Sequence, residues 1–404
     1  MISSYIKFSK KPFNAFLQII IFFLFLPFLI SFFLGDTLTE RFIYFTLSIL
    51  TITFACEFAF LLLYKLYAGV HYQFIVKIDF KKLFHQPHPY LPYTYKKNFD
   101  GGRAEQVNYP LHPNLSSPIL TTNNLGFFNG ESGNRNVLLP KPKNLIRINC
   151  IGGSTTGNYI KADKSYSYPL ELERILKKNS DKNIEVNNFG HGGYNSADVF
   201  VSFALQSIDT NPDYVIIYHA YNDVRAYLSP DFSSDYSHSR KNLGEVYWKY
   251  RVASKFPNIP INFINYLTNK FLFSASEQYS ILEVIEKSKI DMSLDYLNGL
   301  KTYERNLQHI IYLCLCNNIK VILSTYCIYL YPFIKNDPLN KLYQKIVSEE
   351  NEVMKRLAKK NNLTLVDAAS SISRENANFV DSSHFTPQGM TLLAQCFAEK
   401  IILD

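Results

Sequence analysis

The chain has 404 residues, of which 47% are hydrophobic and 15% aromatic, a balance that excludes a disordered chain and leaves room for a full core plus an appendage. The net charge of +8 is uneven, because residues 1–100 hold ten Lys/Arg against five Asp/Glu and only +3 falls on the remaining 304. A nucleic-acid-binding protein would carry its basic surface on the folded domain, so that partner is excluded, and a basic flank beside apolar runs reads as membrane topology.

Residues 12–34 are uncharged and built largely from Phe, Leu and Ile, long enough to cross a bilayer as a helix. Residues 42–64 form a second such run with Glu57 as its only charge. The polar stretch 35–41 between them makes residues 1–65 a transmembrane helical hairpin, with the lipid bilayer as partner. A cleaved signal peptide fits less well, since the first run is too long and no A-x-A-like site follows it. Lys7, Lys10 and Lys11 precede the hairpin and Lys65, Lys77, Lys81 and Lys82 follow it, against Arg41 alone in the connecting loop. The excess of positive charge places both ends, and the domain beyond, on the cytoplasmic side of a multi-pass protein.

Residues 66–143 are rich in Pro, Tyr, Asn and Gly and read as an irregular connector packed on the following domain. From 144 to 404 the pattern alternates. Strands are predicted at 145–151, 184–189, 214–220, 320–326 and 363–368, and helices at 166–178, 197–208, 301–316, 340–360 and 387–402. Such alternation argues for a parallel sheet with helices on both faces, an α/β class in three layers. Residues 228–298 interrupt it with a Ser/Tyr-rich piece, an apolar run at 259–273 and a helix opened by Ser274-x-x-Glu277, a capping box. An insertion of this length beside a strand end is usually functional. The six cysteines, Cys56, Cys150, Cys314, Cys316, Cys327 and Cys396, show no metal-ligand spacing and read as buried free thiols.

In open α/β sheets function gathers at the carboxyl ends of strands. Three of these ends carry unusual residues: Ser154 in Gly152-Gly-Ser-Thr-Thr-Gly157, Gly193 in Gly190-His-Gly-Gly193, and Asn222 in Tyr221-Asn-Asp223. A fourth group, Asp381-Ser-Ser-His384, precedes the last helix. The first turn is not a phosphate loop, because Asn158 stands where the Walker pattern needs Lys, and it is not an α/β-hydrolase elbow, because position 156 is Thr. Alone, Ser154 would pass for a helix cap. Together the four groups supply a nucleophile, a base, a carboxylate to orient the base, and donors for an oxyanion. Asp381 and His384 are close enough in one tight turn for the carboxylate to hold Nδ1–H. Gly193 lets a backbone N–H approach a ligand, and Asn222 offers an amide.

These blocks resemble those of the SGNH hydrolases, the GDSL-like lipase/esterase superfamily. Gly152-Gly-Ser154-Thr matches the Gly-Asp-Ser block with Gly for Asp, a variant common in carbohydrate-active branches. Asn188 to Ser196 matches the second block, Tyr221-Asn222-Asp223 the Gly-x-Asn-Asp block with Ala220 where Gly is usual, and Asp381 to Gly389 the Asp-x-x-His block. The resemblance covers about residues 124–403 and implies a flavodoxin-like three-layer fold. It also implies a Ser154–His384–Asp381 triad and an oxyanion hole formed by Ser154, Gly193 and Asn222, with no cofactor or metal. The implied activity is hydrolysis of an acyl ester, an O-acetyl group on a glycan or lipid-linked substrate. An O-acyltransferase with a sugar hydroxyl as acceptor would use the same site, and a catalytically silent envelope scaffold is the reading from another class. His191, beside the oxyanion glycine, and Arg225, beyond Asn222, are candidate substrate contacts; the plainer readings are an exposed loop histidine and a surface charge.

Overall fold

The described residues of this computed structural model are 31–34, 36–51, 85–86, 88, 90–100, 102–103, 112–116, 119–230, 232–240, 290–331 and 336–402. They fall in two compact units, of which the first contributes only 31–34 and 36–51. Residues 31–34 and 38–51 are helical. Most of the expected hairpin, residues 12–30 and 52–64, lies outside the described residues, and among those described no helix is long and apolar enough to cross a membrane. The apolar run 259–273 and the capping box at Ser274 also lie outside them.

The second unit is built on five parallel strands: β1 Leu145–Gly152, β2 Asn183–Gly190, β3 Tyr214–Tyr218, β4 Lys320–Ser324 and β5 Thr364–Val366. Their spatial order is β5-β4-β3-β1-β2, the doubly wound arrangement in which the chain reverses direction across the sheet between β1 and β3. All five residues of β3 are buried, as is nearly all of β1 and β2. That burial on both faces explains the unbroken apolar run of β3, whereas β1 and β2 also bury polar residues that pair with one another, Arg147 with Glu185 and Asn149 with Asn187. The helices are α1 Tyr168–Lys178, α2 Ser196–Ser202, α3 Asn222–Tyr227, α4 Leu297–Cys316, α5 Pro338–Lys360 and α6 Pro387–Ala398. α1 packs on α6, while α4 packs on α2, α3 and α5, giving two separate helical layers.

Local chemistry sets the helix starts. Ser167 caps α1 by accepting from Leu170 N, Asp337 caps α5 and Thr386 caps α6, each with Pro in the first turn, where its missing N–H costs nothing. The helix predicted over 197–208 is not continuous. After Ser202 it widens into a π-turn at Phe203–Ser207 and tightens into a 3₁₀ turn at Ile208–Thr210. That change carries Ser207 O, Ser207 Oγ and Thr210 Oγ1 to within 2.8–3.1 Å of Asn149 Nδ2, a buried amide on β1 that they satisfy.

The stretch before β1 contributes to the core. Leu91, Tyr93, Tyr95, Phe127 and Phe128 are buried in the same cluster as the sheet. Of the described cysteines, Cys150, Cys314 and Cys327 are buried, whereas Cys396 is half-buried and Cys316 is exposed at the end of α4. The expectation of buried thiols is therefore corrected at Cys316, because two residues beyond the buried Cys314 it stands on the opposite side of its helix.

Candidate active site

β1 and β3 are the strands between which the sheet reverses, and each runs directly into a candidate residue. β1 ends at Gly152, and Ser154 opens a single helical turn, Ser154–Gly157. β3 ends at Tyr218, and Asn222 opens α3. Ser154, Gly193 and Asn222 are all half-buried, open enough to meet a ligand at the strand ends.

Asn222 Nδ2 donates to Tyr194 O at 2.8 Å, next to Gly193 in the chain. Gly193 has φ +70, the left-handed region that a side chain disfavours. Gly153 leaves room for Asn222, since a Cβ there would lie 2.7 Å from Asn222 Nδ2. Three of the four sequence blocks thus converge on one amide.

The backbone before Asn222 is strained. Tyr221 has φ 67 and ψ −52, and Asn222 N donates to Ala220 O at 2.7 Å. This is a three-residue γ-turn in its rare mirror form, costing on the order of 1–3 kcal/mol for a residue with a side chain.

The fourth block forms a closed turn. Phe379 pairs with Phe385, and Val380 N donates to His384 O at 2.9 Å. Inside it, His384 Nδ1 donates to Asp381 Oδ2 at 2.7 Å. Asp381 Oδ1 accepts from Ser383 N and His384 N, both at 2.8 Å. Burial alone would raise the Asp381 pKa, but the charge and hydrogen bond of His384 and the two N–H donors outweigh it and hold the carboxyl well below its usual range. Burial likewise opposes the imidazolium of His384, yet the Asp381 charge prevails and its pKa is raised. With Nδ1–H committed to the carboxylate, Nε2 is the basic nitrogen.

Thr155 ties this turn to the turn that Ser154 opens. Its Oγ1 donates to Ser383 O at 3.3 Å and shares a hydrogen bond with the Tyr326 hydroxyl beyond β4. Tyr329 N donates to Ser382 O at 3.0 Å from the same segment. The side chains of Asp381 and His384 remain 51% and 27% exposed.

Two expectations are corrected. His191 is not an exposed loop histidine: it is 0% exposed, stacked between Tyr95 at 4.5 Å and Tyr194 at 4.4 Å, with Phe127 edge-on. Arg225 is half-buried on α3 instead of a plain surface charge. Burial raises the pKa of Tyr221 and Tyr343, and the Arg225 charge partly offsets it in both.

Several supporting residues had no signal in the motifs. Tyr93 OH donates to Gly192 O, and Tyr194 OH donates to Tyr93 O, so the stretch before β1 holds the glycine turn. Asp223, fully buried, accepts from Ser196 N at 2.9 Å, Ser196 Oγ at 2.6 Å, the Tyr236 hydroxyl and His219 Nε2 at 2.8 Å. Glu350, also fully buried, accepts from Tyr221 N. A signal for Glu350 does exist: it is the one carboxylate among the buried positions of α5, at helical spacing from Ile346, Val347, Val353, Met354 and Leu357. Among the described residues no three His, Cys, Asp or Glu side chains are grouped to hold a metal ion.

The profile of the GDSL-like Lipase/Acylhydrolase family matches residues 150–392, more than half of the chain. No curated protein matches the sequence. Solved structures similar to the chain include an acetylxylan esterase from Geobacillus stearothermophilus, with 17% identity, covering 64% of this chain and 95% of that one at a TM-score of 0.39. Others are a lipase/acylhydrolase from Enterococcus faecalis, with 16% identity, covering 63% and 95% at 0.38, and a putative acylhydrolase from Bacteroides fragilis, with 18% identity, covering 65% and 89% at 0.36.

Proposed function

Since the chain belongs to the GDSL-like lipase/acylhydrolase family of SGNH hydrolases and is an ester-bond hydrolase, we propose that Ser154, His384 and Asp381 carry its chemistry and that Ser154, Gly193 and Asn222 form its oxyanion hole. The observation that carries this reading is the 2.7 Å contact between His384 Nδ1 and Asp381 Oδ2 in a turn bonded to the residue after Ser154.

In this mechanism His384 Nε2 takes the proton of Ser154 Oγ as the oxygen attacks the ester carbonyl. The carbonyl π electrons move onto oxygen, which meets the N–H groups of Ser154 and Gly193 and the Asn222 amide proton not given to Tyr194 O. Collapse of the tetrahedral intermediate breaks the bond to the alcohol, which leaves with the proton from His384. Water, deprotonated by the same nitrogen, then releases the acid and restores Ser154. Asp381 stays ionised throughout and stabilises the transient imidazolium.

The substrate in this proposal is an acyl ester, an O-acetyl group, on a glycan or lipid-linked molecule. Two features support it: the apolar runs 12–34 and 42–64, which would hold the domain at a bilayer, and Gly153 in place of the family's usual Asp. The test is fluorophosphonate labelling and acetyl-ester turnover by the full-length protein. Ser154→Ala is expected to abolish labelling and to lower kcat by at least about 10³. Labelling that persists in Ser154→Ala would move the nucleophile elsewhere. Acetate release from an acetylated glycan tests the substrate class, and a C-terminal reporter fusion tests the cytoplasmic placement.

A further inference from the structure

We propose that Glu350 is a positioning residue for the reaction, holding the strained turn at Tyr221 so that the Asn222 amide is aimed at the oxyanion. This rests on the assignment of Asn222 made above.

The γ-turn at Tyr221 places its φ at 67, a conformation that persists only where surrounding structure over-determines it. Two restraints act on it. Inside the turn, Asn222 N donates to Ala220 O at 2.7 Å. From outside, Glu350 Oε2 accepts from Tyr221 N at 3.2 Å, and Glu350 Oε1 accepts from the Tyr227 hydroxyl at 3.0 Å. Tyr227 is the last residue of α3, the helix that Asn222 opens. One carboxyl group therefore bridges the residue before Asn222 and the far end of the helix after it.

An apolar side chain would serve α5 better at this position if packing were its only task, because its buried neighbours Ile346, Val347, Val353 and Met354 are apolar and a buried carboxyl is costly to desolvate. Burial, reinforced by the nearby Asp223 charge, pushes the Glu350 pKa up and favours the neutral acid. A neutral acid still accepts from Tyr221 N through its carbonyl oxygen, and its hydroxyl oxygen keeps the 3.0 Å hydrogen bond shared with the Tyr227 hydroxyl. Glutamine has the same shape and the same acceptor.

The test is kcat and KM on a chromogenic acetyl ester, with thermal unfolding, for full-length Glu350→Leu, Glu350→Gln and Tyr227→Phe, each alone and combined with Asn222→Ala. Glu350→Leu is expected to lower kcat by about tenfold or more with KM held within about twofold, and Glu350→Gln to recover most of the loss. In the Asn222→Ala background Glu350→Leu is expected to cost nothing further in kcat, because the amide it positions is gone. A loss of equal size in that background, a loss confined to KM, or no rescue by glutamine would make Glu350 a structural residue and overturn the proposal. If Glu350→Leu does not fold, Tyr227→Phe carries the test: a loss of about threefold in kcat, absent in the Asn222→Ala background, supports it, and an unchanged kcat overturns it. Full turnover by Asn222→Ala would sink the oxyanion assignment itself. A slow Asn222→Ala beside a fully active Glu350→Leu would sink only the role of Glu350.

Discussion

Asn222 Nδ2 donates to Tyr194 O at 2.8 Å, which commits one amide proton to the glycine turn; in the proposed site the other is the one that meets the oxyanion. The third sequence block is thereby oriented by the second, and the strained turn at Tyr221 sets the backbone from which both are reached.

Asn222→Ala removes the free donor together with the bond to Tyr194. Turnover of an acetyl ester is expected to fall by about 10²–10³. The fold loses a single half-exposed hydrogen bond, worth about 1 kcal/mol, so thermal unfolding is expected to shift by only a few degrees while kcat collapses.

Gly153→Ala separates activity from stability in another way. Its Cβ would lie 2.7 Å from Asn222 Nδ2, an atom at the end of a side chain that is able to yield. The amide is expected to move by a fraction of an ångström, lowering kcat by roughly ten- to a hundredfold. Thermal unfolding should change little, and steady-state kinetics beside a melting curve checks both.

The Asp381–His384 pair makes activity and stability run in opposite directions with pH. The His384 pKa is held above its ordinary 6.5 by Asp381, against the effect of burial. The neutral base needed for catalysis fills only as pH rises through that raised value, so kcat/KM is expected to climb along a limb above 6.5. The stabilisation from the charged imidazole is complete below 6.5 and is lost as pH rises through the same limb. The depressed Asp381 contributes above its ordinary 3.8 and loses that contribution as pH falls below it. Asp381→Asn is expected to move the kinetic limb downward and to flatten the pH dependence of the melting temperature, as rate profiles and melting curves across pH 5–9 would show.

Tyr95→Ala tests whether the stretch before β1 belongs to the catalytic fold. Tyr95 is 6% exposed and stacks on the fully buried His191. Truncating a buried aromatic ring typically costs about 3–5 kcal/mol, so chemical denaturation should show a loss in that range. A loss below about 1 kcal/mol would detach this stretch from the core.

The central strand was legible because burial on both faces favours an unbroken apolar run, which 214–218 supplies. The last helix, expected over 387–402, opens at Pro387, where the Thr386 cap and the missing N–H suit a helix start. The break at Phe203–Ser207 was not legible, since the buried amide it satisfies, Asn149, lies on a strand distant in sequence. His191 was misjudged for a similar reason: a glycine-flanked histidine reads as exposed loop, and it takes the distant Tyr95 and Phe127, together with Tyr194, to bury it.

Residue types and their order determined by themselves which groups could perform acyl transfer, because a serine, a histidine three residues after an aspartate, a glycine turn and an asparagine have chemistry that travels with the side chain. Tertiary structure decided how those groups are aimed. The γ-turn at Tyr221, the Glu350 carboxyl beneath it and the Thr155 bond to Ser383 O depend on atoms that meet only when distant segments pack. Directional hydrogen bonds are fixed by distance and angle, and neither is encoded in the spacing of residues along a chain.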